Sequence, residues 1–438
     1  MKKKILSISM LTLIGLGLTV SSTSCSTKEG CTNPQAKNYD AEAEKDNGSC
    51  DLSGNKLEGN VWTINEDIKK GQDITWTKDK IYVLNKRIVV EDGGKLRIQA
   101  GTIIKGNVGS GANSTVLIVA RGGQIFAEGT ATEPIIFTTV ADAIEPGMVE
   151  SPNLDPTQEG LWGGVIILGR APISANSNAV QIEGIPLSDL RGLYGGDVAT
   201  DNSGVLKYVS IRHGGALIGT SNEINGLTLG GVGSGTVVEN IEVVSNQDDG
   251  IEFFGGTVNA KNLLVWNSGD DAIDTDQAWS GTVDNFIVIC GEATDHALEV
   301  DGPEGSLVAS HTIKNGSVKG SINSEMADYR DGARAATQNV YFFNFPSSKL
   351  PAGRGDFSLS NQDTKPTFTG GFLTFSNLQA TLVDGLVCSD AFKGGSKDFA
   401  SLVTLKNNTV GADKSAFASW TWADAAGQLA DFDKKTGL

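Results

Sequence analysis

One short segment returns at nearly fixed intervals, and that return constrains the fold more than any other feature. Val238-Glu239-Asn240-Ile241-Glu242-Val243 recurs as Ala260-Lys261-Asn262-Leu263-Leu264-Val265 and as Val283-Asp284-Asn285-Phe286-Ile287-Val288. The asparagines are 22 and 23 residues apart. Looser copies follow at Asn315, Asn339, Asp384 and Asn407. A period in the low twenties, built from short β-branched runs between turn residues, is the signature of a solenoid whose coils are strands. The fold class expected is therefore all-β, a right-handed parallel β-helix. Asn at one turn of every coil tolerates left-handed backbone angles, and its amide can bond to the copies above and below. Glycine makes up 55 of 438 residues, and the repeat assigns that excess to coil corners.

A second register runs in phase with the first. Asp248-Asp249-Gly250-Ile251-Glu252-Phe253 aligns with Asp270-Asp271-Ala272-Ile273-Asp274-Thr275 and with Asp295-His296-Ala297-Leu298-Glu299-Val300. Alternate side chains of a strand face opposite ways. Ile251, Ile273 and Leu298 then point inward, and Glu252, Asp274 and Glu299 point outward, stacked about 4.8 Å apart. Between residues 246 and 302 there are twelve Asp or Glu against one lysine, Lys261, so this stripe carries most of the net charge of −17. The acidic balance argues against a nucleic-acid partner, whose backbone is negative.

The first residues read as an address. Lys2, Lys3 and Lys4 precede an apolar run over residues 5–20 and then small residues up to Cys25. This predicts a signal peptide over residues 1–24 and lipidation of Cys25, hence an anchor in the cell outer membrane with the chain facing outside. In an oxidising compartment Cys31 and Cys50 are expected to pair. Cys290 and Cys388 fall three coils apart, roughly 14 Å, too far to bridge, so both are expected free and mostly buried. The organisation expected is a lipidated, disulfide-looped linker at 25–54, the β-helix at 55–410, and a helical cap at 411–438. A single helix spanning 415–431, with Phe417, Trp420, Trp422 and Leu429, is expected to close the open end of the solenoid. Insertions at 141–160, 183–202, 302–306 and 347–371 interrupt the coil length.

The segment from Gly30-Cys31-Thr32 to Asn47-Gly48-Ser49-Cys50 resembles a short cysteine module of Bacteroidetes surface proteins. Gly101-Thr102-Ile103-Ile104-Lys105-Gly106, Trp162-Gly163-Gly164 and Glu223-Ile224-Asn225-Gly226-Leu227-Thr228 resemble a family of Bacteroidetes lipoproteins, which implies a pectate-lyase-like β-helix but no activity. A partial resemblance to polygalacturonases rests on Asn246-Gln247-Asp248-Asp249, Gly269-Asp270-Asp271 and Asp295-His296-Ala297 on successive coils. It implies Asp271 as acid, Asp249 and Asp270 as base partners, His296, and Arg330 or Arg334 near the place of the basic element. The Gly-His-Gly and Arg-x-Lys of that family are absent.

Four readings of the stripe follow. Like charges this close raise one another's pKa unless a cation is bound, protons are shared or water screens them. Hard oxygen ligands without a His or Cys cluster favour calcium, with Asp248, Asp249, Glu252, Asp271, Asp274 and Glu299 as ligands. The polygalacturonase resemblance offers a glycoside hydrolase as the alternative. A lyase would need a base such as Arg330 or Arg334 inside a field that repels an acidic polymer. The plainest reading is a solvated acidic ladder on a structural protein. The sequence leans to binding of calcium, glycan or a partner envelope protein, rather than to catalysis. His213 and His311 read as surface or turn residues, and Trp62, Trp76 and Trp162 as core, cap or sugar-stacking.

Overall fold

The computed structural model describes residues 27–33, 36–51, 54–218, 223–349 and 354–435. The predicted signal peptide and Cys25 lie outside these residues. The body is a parallel β-helix. One side of the coils is a nine-stranded parallel sheet, one strand per coil, from Ile88–Val90 through Val165–Leu168, Leu227–Gly230, Ile251–Phe254, Ile273–Asp276 and Leu298–Val300 to Phe357–Leu359. The other sides form a larger sheet, and parallel crossovers make the coil right-handed.

The long strands of the larger sheet are bent in the middle. Val237–Asn246, Asn259–Ser268, Thr282–Ile289, His311–Lys319 and Ala335–Phe343 each turn a corner at Asn240, Asn262, Asn285, Asn315 and Asn339, with φ between 56° and 67°. The asparagine therefore sits inside a bent strand, where the sequence placed it just before one. Asn285 Nδ2 donates to Asn262 Oδ1 at 2.7 Å, and Asn339 Nδ2 to Asn315 Oδ1 at 3.1 Å. The next rung is Asn377, which donates to Asn339 at 3.1 Å. Asp384 and Asn407 are not rungs, because the insertion after Phe343 shifts the frame. Tyr208 holds the equivalent corner one coil before Asn240, at φ 50°.

The inward positions are as expected: Ile251, Ile273, Leu298, Phe253, Thr275 and Val300 are all buried. The two remaining histidines are not surface residues. His311 lies inside the coil, its Nε2 3.3 Å from Thr275 Oγ1 and its ring beside Trp279. His213 is fully buried with Nδ1 on Gln158 O. Trp76 and Trp162 are core residues.

The Cys31–Cys50 disulfide is present as expected, but the module it closes and the C-terminal aromatic segment act differently from the linker and end cap expected. Cys31 and Cys50 are bonded, and their module does more than link: buried Ala36 shares a small cavity with Ile64, Ile68, Ile74 and Trp76 of the first coil. It lies over the open N-terminal end of the solenoid. Residues 415–431 are not one helix but short helical turns at Lys414–Phe417, Trp422–Ala425 and Gln428–Asp431. They do not cover an end. Phe417, Trp420, Trp422, Leu429 and Phe432 pack along the flank of the larger sheet, on Val244, Leu264, Trp266, Ile287, Tyr341 and Phe343. Gly427 at φ 71° and the short turns break the helix that the aromatic spacing suggested. The far end is closed by the helix Asn361–Thr369 and by Phe392, whose ring meets Phe357 and Phe342. Cys290 and Cys388 are free.

Replacing Asn285 by Ala puts a β-carbon residue without a compensating amide at a left-handed corner. The expected loss is about 1–3 kcal/mol in urea unfolding, and Asn285→Gly should recover the backbone part of it.

Candidate acidic groove

The coil register turns the acidic repeat into rows. One row runs Asp249, Asp271, His296, Glu325 along the bend entering the nine-stranded sheet. The next runs Thr228, Glu252, Asp274, Glu299, Asp328 on outward positions of the strands. Phe254 and Asp276 begin a third row, which Asp301 and Arg330 continue just past the strand ends. These side chains face out from the sheet, yet Asp249, Glu252, Asp271, Asp274 and Glu299 are each less than 8 % exposed.

They are buried because the insertions rise around them. Residues 173–194 lay Ile173, Ile182, Ile185 and Tyr194 over the apolar outer positions Val89, Ile118 and Ile166 of the earlier coils. That insertion stops where the acids start. Its Glu183 accepts from Asn225 at 3.0 Å, and Tyr194 donates its hydroxyl to Gln277. The 302–308 insertion meets it, since Ser174 Oγ donates to Leu307 O at 2.7 Å. The acidic face is a walled groove, not an open ladder.

The proposed calcium set divides in two. Asp249, Glu252 and Asp274 form a wholly buried triad whose carboxylate oxygens lie within 4.8 Å of one another, and Asp248, Asp249 and Asp270 form a second triad on its outer side. Asp271 and Glu299 gather with His296 in a separate group, ligand atoms again within 4.8 Å of one another. Asp271 Oδ1 accepts from both the backbone N–H and Nδ1 of His296, at 2.7 and 2.8 Å. Glu299 accepts from Arg330 at 2.5 Å, and Arg330 also donates to Asp301 at 2.7 Å. Asp271 and Glu299 are thus met by cations of the chain itself, whereas Asp249, Glu252 and Asp274 have no ion pair among the described residues. Asp274 Oδ1 is buried with no hydrogen-bond partner among the described residues.

The five residues of the polygalacturonase-like reading are only partly assembled. Asp249, Asp271 and His296 stack one per coil, the N–H of Asp271 donating to Asp249 Oδ1 at 2.9 Å. Asp270 is exposed beside Asp249, and Arg330 is held by Glu299 and Asp301. Sequence reasoning missed Glu183, Glu325 and Asp328. Ser324-Glu325-Met326-Ala327-Asp328 continues the frame of Asp295-His296-Ala297-Leu298-Glu299, but the insertion makes that coil 29 residues long. Glu325 lies 3.8 Å from His296 Nε2, and Arg354 pairs with Asp295 and Glu325.

Burial, then repulsion from neighbouring carboxylates, pushes Asp249, Glu252 and Asp274 well above the usual carboxylate range. The same two causes raise Asp248 to about 7, Asp276 to about 8 and Glu299 to about 9. Glu325 rises to about 7 through burial and Asp356. Burial alone would depress His296, but its bond to Asp271 and the fields of Asp271, Glu299 and Glu325 prevail and hold it at about 9.

The pectate-lyase-like beta helix domain family matches residues 67–425, and the chain belongs to that family. No curated protein and no solved structure matches the chain.

The pH dependence follows from these directions. Unfolded carboxyl groups titrate near 4, so the folded chain keeps protons that the unfolded chain has released. A raised carboxyl pKa therefore removes stability as pH climbs from about 4 to about 9. His296 acts in the same direction, its contribution full below 6.5 and lost as pH rises through about 9. Cation-free protein should melt at a lower temperature near pH 9 than near pH 5, a trend that scanning calorimetry would measure.

Proposed function

We propose that the protein is a lipid-anchored envelope protein that holds a calcium ion in the acidic groove and uses it to bind a polysaccharide. A pectate-lyase-like β-helix is compatible with a polysaccharide-binding or polysaccharide-degrading role. The observation that carries the cation is the triad Asp249, Glu252 and Asp274, buried and without an ion pair among the described residues: Asp249 accepts only from the N–H of Asp271 and Glu252 from the Asn225 amide, and Asp274 Oδ1 meets no donor there. Three ionised carboxylates in that position repel one another and have lost their water, which a bound cation offsets. The donors are all hard oxygens, and calcium takes six to eight of them, filling the remainder with water or a ligand hydroxyl. The predicted leader and Cys25 support export and attachment to the outer membrane, facing outside, where glycan chains and other envelope proteins are the available partners.

One observation favours the hydrolase as a second reading. Asp248, raised to about 7 beside Asp249 and Asp270, keeps a proton at near-neutral pH, as a general acid must. Against it, the oxygens of that triad lie within 4.8 Å of one another, closer than the roughly 6.5–9.5 Å separation that leaves room for water in an inverting pair. Asp271 Oδ1 is also occupied as an acceptor for His296.

Calcium at about a hundred times its dissociation constant should stabilise the protein by about 2.7 kcal/mol, and Asp274→Asn should remove most of that shift. A melting temperature indifferent to calcium and to chelator would sink the cation reading. Reducing-sugar release from a polysaccharide panel, lost in Asp249→Asn and Asp271→Asn, would establish the hydrolase instead.

A further inference from the structure

Towards the N-terminal coils the same side of the solenoid changes character. A cavity of about 470 Å³ opens where the strand Leu117–Val119 ends, lined by Arg121, Arg170 and Arg191, the backbone of Gly195, and the apolar side chains of Leu190 and Leu193. In a chain of net charge −17 this gathering of guanidinium groups is unusual. The acids on the wall are Asp92 and Asp197.

The three arginines are not equally satisfied. Arg191 is fully engaged, with Asp189 and Asp67 each at 2.7 Å. Arg170 reaches Asp92 at 3.1 Å, while its Nε is buried with no hydrogen-bond partner. Arg121 has no ion pair among the described residues; its Nη1 donates to Gly195 O at 3.0 Å, and Arg170 Nη2 donates to the Arg121 carbonyl. Two neighbouring guanidinium groups are thus held in place by backbone oxygens, with a single carboxylate ion-paired to one of them. Guanidinium planes take carboxylate and sulfate groups through parallel hydrogen bonds. The volume falls within the ~300–1,000 Å³ of small-molecule sites. Leu190, 71 % exposed, adds an apolar rim of the kind that meets a sugar ring.

We propose that this cavity is a second ligand site, separate from the acidic groove, which takes a carboxylate or sulfate group carried on a sugar, with Arg121 and Arg170 as its ligands. The sugar rests on the glycan reading above; the oxyanion contact does not. The hairpin of Val180–Gln181 with Leu193–Tyr194 lies between the two sites. Tyr194 and Glu183 serve the groove, and Leu193 and Gly195 line the cavity. One glycan lying across the hairpin would meet the groove's cation at one point and the arginines at another.

The test is titration of the purified protein with sodium glucuronate, glucose 6-sulfate, glucose and sodium sulfate, followed by calorimetry. The charged sugars should bind saturably and glucose should not; whichever charged sugar binds more tightly identifies the group. Arg121→Ala should weaken that binding roughly 10- to 100-fold, and Arg121→Lys, a single point charge, should fall between. Near-ultraviolet circular dichroism checks the fold of each variant independently of calcium, so failure of the cation reading leaves this test intact. If Arg121→Ala misfolds, Arg170→Gln decides, with the same loss expected. No saturable binding of either charged sugar, or wild-type affinity in a folded variant, overturns the site. Equal affinity for inorganic sulfate and the charged sugars overturns the sugar.

Discussion

Everything in this molecule depends on the parallel register between coils. Each residue has its counterpart in the next coil as a neighbour, about 4.8 Å away, so whatever one coil carries is multiplied along the stack. Repeated asparagine becomes a hydrogen-bonded column at the corner. Repeated Ile, Phe and Val become the core. Repeated carboxylate becomes a row of like charges that no strand pairing can separate. The first two repetitions stabilise the solenoid and the third opposes it. The fold resolves that conflict at Asp271 and Glu299 by bringing in His296 and Arg330. It leaves Asp249, Glu252 and Asp274 unresolved, which gives the groove its chemistry.

The insertions turn the acidic rows into a site. On an open face the outward carboxylates would be hydrated, and their mutual repulsion would be weak. The walls built by residues 173–194 and 302–308 take that water away from Asp249, Glu252 and Asp274, which raises the electrostatic cost of ionising all three. The same 173–194 segment covers Ile118 and Ile166, so apolar cover on early coils and acidic groove on later ones are two results of one loop.

The coil length, the asparagine corner and the inward and outward alternation were legible in the sequence because each is a local pattern repeated in phase. What failed to show depended on contacts between distant residues. Asp384 looked like a rung because it is a turn residue before an apolar run, but a 38-residue coil had already moved the rung to Asn377. His311 carries no sequence mark of burial, and only the strand pairing turns it inward onto Thr275. The acidic stripe could be seen, but not its depth, because loops roof it from elsewhere in the chain. Glu325 belonged to the frame throughout and was hidden by the extra length of one coil.

The aromatic strap at the C terminus changes how the solenoid comes apart. A stack whose coils touch only their neighbours can fray one coil at a time from either end. Here Phe417, Trp420, Trp422 and Phe432 reach from Val244 to Phe343, tying together coils that share no strand pairing. Losing one coil under the strap uncovers apolar surface on several others, so the later coils form one cooperative block while the coils before Tyr208 retain more independence.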